Sequence, residues 1–336
     1  MGCVIENLTV GRFRAIRELQ LSGLGRVNLV TGRNNTGKSS LLEAMRILAS
    51  DGAPYVISEI LRSREENPGE QEDAARPMDT DVLFHWSSLF HGFPNFSAKL
   101  DPIVLVSSWR SRSTKLSFGV GWFTTESSDD GIRRLIPQEQ DIFGDSNALP
   151  ALVVESTTGR RVWPLEALRR SWFRGRSPRS DIDDESRWPC VFVSPYGGER
   201  TTTLGPLWDR IALSDREQDI VEALRIIDPN ITAVSMVGGD GARQTRTAIV
   251  KVAGIHRPIP LRSFGDGLNR LFGIVLSLVN AKHGLLLIDE FDNGMHHSIQ
   301  ADAWRAIFRL AAQLDIQVVA TSHSWDSVEA FQIAAA

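Results

Sequence analysis

The chain has 336 residues, 42% of them hydrophobic, with a formal charge of -4 and a pI near 6.0. That length can bury a substantial core in one large domain or two, and the mild acidity excludes a globally basic nucleic-acid coat without excluding a local basic groove. The two cysteines, Cys3 and Cys190, exclude a disulfide framework or a zinc knuckle.

The start, Met1 to Glu6, has neither the basic opening nor the long apolar core of a signal peptide. No run of about 18 apolar residues occurs, so no membrane contact and a cytoplasmic location are expected. Val4–Val10 and Ile16–Leu21 read as short strands separated by Gly11–Arg14. A third run, Arg26–Val30, feeds Gly32-Arg33-Asn34-Asn35-Thr36-Gly37-Lys38-Ser39, which matches G-x-x-x-x-G-K-[ST]. The spacing has a chemical reason. Two glycines let successive N–H groups converge on the α- and β-phosphates, Lys38 reaches the β/γ-phosphates, and the Ser39 hydroxyl is the expected Mg2+ ligand. Ser40 completes the expected ATP-binding set. Leu41, Leu42, Met45, Leu48 and Ala49 predict a helix over Lys38–Ala49, its N-terminal dipole facing the phosphates, stopped by Asp51–Pro54.

Residues 62–80 are polar, carry Pro68, Gly69 and Pro77, and read as a loop. The aromatics Phe84, Trp86, Phe90, Phe93 and Phe96 could stack bases, although burial is the commoner fate of such a cluster. Ile103–Ser107 and Lys115–Thr124 alternate as antiparallel strands with one wet face, and Ala151–Glu155 and Val191–Ser194 read as further strands. Arg169 to Arg179 joins basic charge to Trp172 and Phe173 and could contact DNA; the acidic stretch Asp181–Glu185 follows at once and favours a solvated loop. Asp209–Ile227 reads as one helix, followed by strands Ile231–Val237 and Thr245–Val252 joined by a turn at Gly238–Gly241.

The second half of the chemistry sits far downstream. Leu285–Ile288 is a buried-strand run ending in Asp289-Glu290, and such an acidic pair is where a P-loop protein places its Mg2+ carboxylate. Asp289 would hold the metal, and Glu290 would orient and deprotonate the attacking water. A helix marked by Leu268, Leu271, Phe272, Val275, Leu278 and Val279 precedes this run, and one marked by Ile307, Phe308, Ala311 and Leu314 follows it. Then Ile316–Ala320 forms a second buried strand running into Thr321-Ser322-His323-Ser324. Strand, helix and strand make a parallel unit that would set Glu290 and His323 at one sheet edge, with His323 placed to sense a γ-phosphate.

Taken together, these residues resemble the ABC-type ATPase heads of the SMC, Rad50 and RecF group, and most closely the prokaryotic AAA15/OLD-type ATPases, many of them anti-phage defence components. The resemblance is carried by Asn7-Leu8 and Gly11–Ile16, by Gly32–Ser39, by Phe264-Gly265-Asp266-Gly267-Leu268-Asn269-Arg270, by Leu285–His297 and by Thr321–Ser324. It implies an α/β P-loop NTPase, an ABC ATPase-head with a mixed β core. Residues 1–50 and 251–336 would form the head, and 51–250 a large α+β insertion. It also implies a homo-oligomer in which two heads pack head to tail around ATP. Gly265, Asp266 and Gly267 would then reach the γ-phosphate held by the opposite copy, Asn293 would lie in the loop at the seam, and His323 would be the switch histidine. The family's signature serine falls on Gly265, with Ser263 two residues early, so Ser263 either shifts into place or the hydroxyl contact is missing, which predicts slow hydrolysis. No glutamine loop can be placed, Gln138 and Gln140 being weak candidates, and Arg12 and Phe13 either border the adenine or simply pack in their strand. OLD proteins carry a nuclease domain after the head. Here the chain reaches Ala336 soon after His323, so a separate nuclease or toxin effector is expected. A RecF-like DNA-binding clamp and an ATP-binding scaffold with little turnover are the competing expectations.

Overall fold

The computed structural model describes residues 4–64, 66, 80–94, 100–127, 133–138, 148–173, 188–195, 201–238 and 246–336. The chain runs through β1 (Asn7–Phe13), β2 (Ile16–Leu21), β3 (Val27–Thr31), α1 (Lys38–Ala49), α2 (Pro54–Ser63) and α3 (Thr80–Ser87). Next come β4 (Ile103–Trp109), β5 (Arg112–Ser127), β6 (Arg133–Gln138), β7 (Leu149–Ser156), β8 (Gly159–Pro164) and α4 (Leu165–Phe173). They are followed by β9 (Cys190–Val193), α5 (Thr201–Asp209), α6 (Arg216–Arg225), β10 (Ile231–Val237), β11 (Thr247–Val252) and β12 (Ile259–Pro260). A 3-10 turn at Leu261–Phe264 then leads into α7 (Asp266–Asn280), β13 (Leu285–Ile288), α8 (His297–Gln313), β14 (Gln317–Ser322) and α9 (Trp325–Ala335).

These elements form two compact units. The first comprises Met1–Val4, Leu24–Leu42 and Trp188–Ala336. Its main sheet has the order β3-β14-β13-β9, and every pairing in it is parallel. Parallel sheets are covered on both faces, so their strands read as continuous apolar runs rather than alternations. Leu285–Ile288 obeys this rule, each residue being buried. The connection from β13 through α8 to β14 is the expected strand-helix-strand unit. The core is dominated by α7, α8 and the sheet, with Phe291 stacked on Trp304 at 3.9 Å between ring centroids and Phe331 edge-on to the same indole. A small antiparallel sheet, β10-β11-β12, turns Val234, Met236, Val250 and Val252 into this core.

The second unit comprises Ile5–Gly23 and Glu43–Arg187 and is built on an antiparallel sheet in the order β2-β1-β4-β5-β7-β8, with β6 also paired to β5. Ile103, Leu105 and Ser107 alternate inward along β4, as the sequence pattern predicts. Trp86 and Phe90 are buried and Phe13 packs edge-on against Phe118, so these aromatics are core; Phe93 is exposed. Arg12 instead donates to the Pro102 carbonyl at 2.9 Å. A buried ionic cluster ties the later turns of α1 to this unit. Glu43 pairs with Arg14 and with Arg64, each at 2.6 Å, and Arg14 also meets Glu66 at 2.9 Å.

Two local readings need correction. Asp209–Ile227 is not one helix: α5 ends at Asp209 and α6 begins at Arg216. The break sits at Leu213, which is exposed in the left-handed region at φ 63° and whose N–H is captured by the Glu217 carboxylate at 2.5 Å. Likewise β1 continues through Gly11–Phe13 instead of ending before them. Cys3, most of the 62–80 loop, the Phe84 side chain, Phe96, Gln140, Arg174–Arg179, Asp181–Glu185 and the turn at Gly239–Gly241 lie outside the described residues.

Candidate nucleotide site

The first unit places three chemistry-bearing segments at the carboxyl edge of one sheet. Thr31 pairs with Ser322 and Ile288 with Ala320, so the chain leaves three adjacent parallel strands at Gly32, His323 and Asp289. Turn chemistry shapes the first segment. Asn35 and Gly37 both have positive φ, 60° and 91°, a region open to glycine and tolerated by asparagine. The Thr36 hydroxyl donates to the Arg33 carbonyl at 2.8 Å. Lys38 Nζ donates to the carbonyls of Gly32 and Arg33 at 2.7 and 2.8 Å, which folds the ammonium across the loop. Gly32, Arg33, Asn34, Asn35 and Thr36 are exposed, Ser39 is half-buried and Ser40 is buried. No acid occupies the first turn of α1, so nothing offsets the positive end of its dipole.

Asp289 and Glu290 are held from behind. The Thr321 hydroxyl donates to Asp289 Oδ1 at 2.6 Å and accepts from the Glu290 N–H at 2.9 Å. Asp289 is buried and Glu290 half-buried. Arg270, only 2% exposed on α7, donates to the carbonyls of Ser194 at 2.6 Å, Asp289 at 2.9 Å and Glu290 at 3.2 Å. It thereby clasps the ends of β9 and β13. The sequence reading quoted Thr321 and Arg270 within motifs but gave them no role. The periodicity gave no signal for Arg270, which lies on the side of α7 away from the Leu268, Leu271, Phe272 and Val275 stripe and is buried because the helix is covered on that side too.

A second grouping brings the start of α7 to the turn that follows Asn293. Gly265 N-caps α7 at φ 97°, with open space where a Cβ would stand. A Cβ on Gly267 would lie 2.9 Å from Ile299 Cδ1 and 3.4 Å from the Gly294 carbonyl, so this helix start is packed against the turn that follows Asn293. Asn293 is exposed, donates its side-chain amide to the Pro195 carbonyl, and its N–H meets the Glu290 carbonyl at 3.1 Å. Ser263 is exposed in the 3-10 turn and Asp266 is exposed at the start of α7. His323 is exposed one residue past β14.

The donor set at the sheet edge suits Mg2+ in character. It is all oxygen, and the Thr321 bond to Oδ1 leaves Asp289 Oδ2 as a carboxylate acceptor. No group of three or more His, Cys, Asp or Glu able to hold a metal occurs among the described residues. A Mg2+ that keeps its waters and binds nucleotide phosphates needs only one or two carboxylates, so the single carboxylate of Asp289 with the Ser39 hydroxyl would fit such an ion.

The family described as "AAA domain, putative AbiEii toxin, Type IV TA system" (AAA_21) matches residues 127–328, more than half of the chain. The chain belongs to this AAA-domain family. With the phosphate-loop motif and the parallel sheet behind it, the AAA-domain chain has an α/β P-loop NTPase fold and is an ATPase domain of the AAA type. An uncharacterized protein of Methanocaldococcus jannaschii, MJECL10, is 48% identical over 48 residues, a match that covers 14% of this chain and 22% of that relative. An ATP/GTP phosphatase of Helicobacter pylori is 21% identical over 355 residues, covering 97% of this chain and 87% of that one. Among solved structures, an SMC head bound to the C-winged helix domain of ScpA is similar at a TM-score of 0.44 and 11% identity, covering 97% of this chain and 92% of that one. The SMC head domain from Thermotoga maritima is similar at 0.39 and 12%, with 97% and 91% covered. No helix among the described residues is long and apolar enough to cross a membrane.

Proposed function

We propose that this AAA-domain chain binds and hydrolyses ATP with Mg2+, and that ATP joins two copies head to tail in an assembly that regulates a separate nuclease or toxin in anti-phage defence. The observation that carries the reading is the convergence of Gly32, His323 and Asp289-Glu290 on one edge of a parallel sheet. Ligands of open α/β sheets bind outside the carboxyl ends of the strands. The Helicobacter pylori relative, named an ATP/GTP phosphatase, supports hydrolysis and makes GTP a second nucleotide to assay.

In this reading the N–H groups of the Gly32–Ser39 loop cradle the phosphates while Lys38 releases its loop carbonyls for the β/γ-phosphates. Ser39 and Asp289 hold Mg2+, which when bound neutralises charge developing on the phosphates. Glu290 orients water and takes its proton, and His323 senses the γ-phosphate. Gly265–Gly267 and Asn293 face the partner copy. ATP acts as a switch because it contacts both copies only while its γ-phosphate is present.

Steady-state hydrolysis of ATP and GTP by wild type, Lys38→Ala and Glu290→Gln tests the enzyme reading: loss in both variants is expected, and undiminished turnover in either would overturn it. A scaffold with little turnover stays the second reading because Gly265 stands where the signature serine is expected. The DNA-clamp reading loses one of its residues, since Arg169 is buried and paired with Glu166 at 3.0 Å.

A further inference from the structure

Gly265 stands where the signature serine is expected, and Arg262 lies three residues before it. Residues 241–265 contain no Asp or Glu but carry Arg243, Arg246, Lys251, His256, Arg257 and Arg262. This cationic run leads directly to Gly265. Arg246 is neutralised by Asp209. Arg262 is not: it is exposed on the 3-10 turn, and among the described residues its guanidinium makes no hydrogen bond or ion pair, even with Asp266 four residues on. Its carbonyl accepts the Gly265 N–H at 3.0 Å, so the turn that carries the arginine is the turn that sets the start of α7. Asp266 places a negative charge in the first turn of α7, where an approaching phosphate would meet it. A helix start meant for a γ-phosphate, with an acid in its first turn and no hydroxyl at Gly265, needs a positive charge from close by.

We propose that Arg262 supplies it, as an arginine that reaches the γ-phosphate of the nucleotide held by the opposite copy and takes over the contact that Gly265 cannot make. This rests on the head-to-tail reading and deepens it. During hydrolysis the water oxygen bonds to the γ-phosphorus, Glu290 accepts the water's proton, and the bond to the β–γ bridging oxygen breaks, leaving that oxygen on ADP. Charge gathers on the γ-phosphoryl and bridging oxygens, and a guanidinium donates to such oxygens in a fixed fork. Arginines supplied in trans accelerate comparable reactions by about 10^3-fold or more.

Mixing complementary variants tests the proposal. Arg262→Ala and Lys38→Ala are each expected to lose hydrolysis alone. An equimolar mixture should recover hydrolysis, up to about a quarter of the wild-type rate at random pairing, because the mixed dimer alone carries an intact composite site, one of its two. A second readout is independent of turnover. In a Glu290→Gln background, Arg262→Ala should weaken ATP-dependent association at least about tenfold by light scattering, with Arg262→Lys intermediate because a lysine keeps the charge without the fork. If Glu290→Gln fails to associate with ATP, the head-to-tail reading falls. If it associates but Arg262→Ala changes neither its mass nor the recovery on mixing, the role of Arg262 alone falls. Because Arg262 is exposed, loss of folding is not a competing explanation.

Discussion

Glu290 occupies the left-handed region at φ 48°, a conformation that costs a non-glycine residue on the order of 1 kcal/mol. Its backbone is fixed on every side: the N–H by Thr321, the carbonyl by Arg270 and by the N–H of Asn293, and the next residue by the Phe291–Trp304 stack. Such bracing is what a general base needs, since its carboxylate must be positioned before water arrives. Glu290→Gln should therefore keep nucleotide binding and lower hydrolysis by roughly 10^2- to 10^4-fold, measured by equilibrium binding and steady-state turnover. Thr321→Val removes a donor from Asp289 and an acceptor from Glu290 together. It should cost about 1–3 kcal/mol in urea unfolding and also lower turnover; a loss of stability with unchanged turnover would show that Thr321 only supports the fold. The place of the acidic pair at the end of a core strand was legible in the sequence because Leu285–Ile288 is a continuous apolar run, as a strand covered on both faces requires. The roles of Thr321 and Arg270 were not, because their partners are a carboxylate and backbone carbonyls brought near only by the sheet and α7.

At the scale of elements, α1 was readable to its ends: the periodic Leu41, Leu42, Met45 and Leu48 and the stop at Asp51 predict Lys38–Ala49, and the helix has those bounds. What the periodicity could not reveal is that Glu43, on the side of the helix opposite Leu41, Leu42 and Met45, is also buried and pairs with Arg14 and Arg64. Removing one member of a buried ionic cluster leaves the others uncompensated, so Glu43→Ala should destabilise the protein by about 3–5 kcal/mol in denaturant unfolding. Burial raises the Glu43 carboxyl above its ordinary value of 4.5, and the nearby Arg14 and Arg64 only partly offset this. The folded state thus holds that proton more tightly than the unfolded chain. The contribution of Glu43 to stability is full below about pH 4.5 and is lost as pH rises through the raised folded value. Comparing wild type with Glu43→Gln across about pH 4 to 8 should show that wild type alone carries this slope. The single helix expected over Asp209–Ile227 failed for a local reason, since one left-handed residue at Leu213, with Glu217 capping it, splits a run whose composition is helical throughout.

For the whole molecule, the order of motifs along the chain told more than any segment's composition. Gly32–Ser39 and Asp289-Glu290 stand far apart in sequence, and only a parallel sheet with β14 between β3 and β13 brings them to one edge. That sheet was partly legible, because β13, α8 and β14 read as one parallel unit; the flanking places of β3 and β9 depend on pairings that the sequence does not display. In the proposed function this edge would hold one copy's share of the chemistry, with the phosphate loop, Asp289, Glu290 and His323, and the Gly265–Gly267 turn with Arg262 would be the share offered to a second copy. Chelating divalent cations with EDTA should abolish hydrolysis, and restored Mg2+ should recover it, whereas recovery by neither Mg2+ nor Mn2+ would contradict the oxygen-donor site. The central claim is that ATP joins two copies, and the direct measurement is molar mass by light scattering with and without Mg2+-ATP. Glu290→Gln should double in mass with ATP and return to the monomer mass with ADP, wild type should double only transiently, and Lys38→Ala should not respond. The same mass for all three proteins in every nucleotide state would contradict the account.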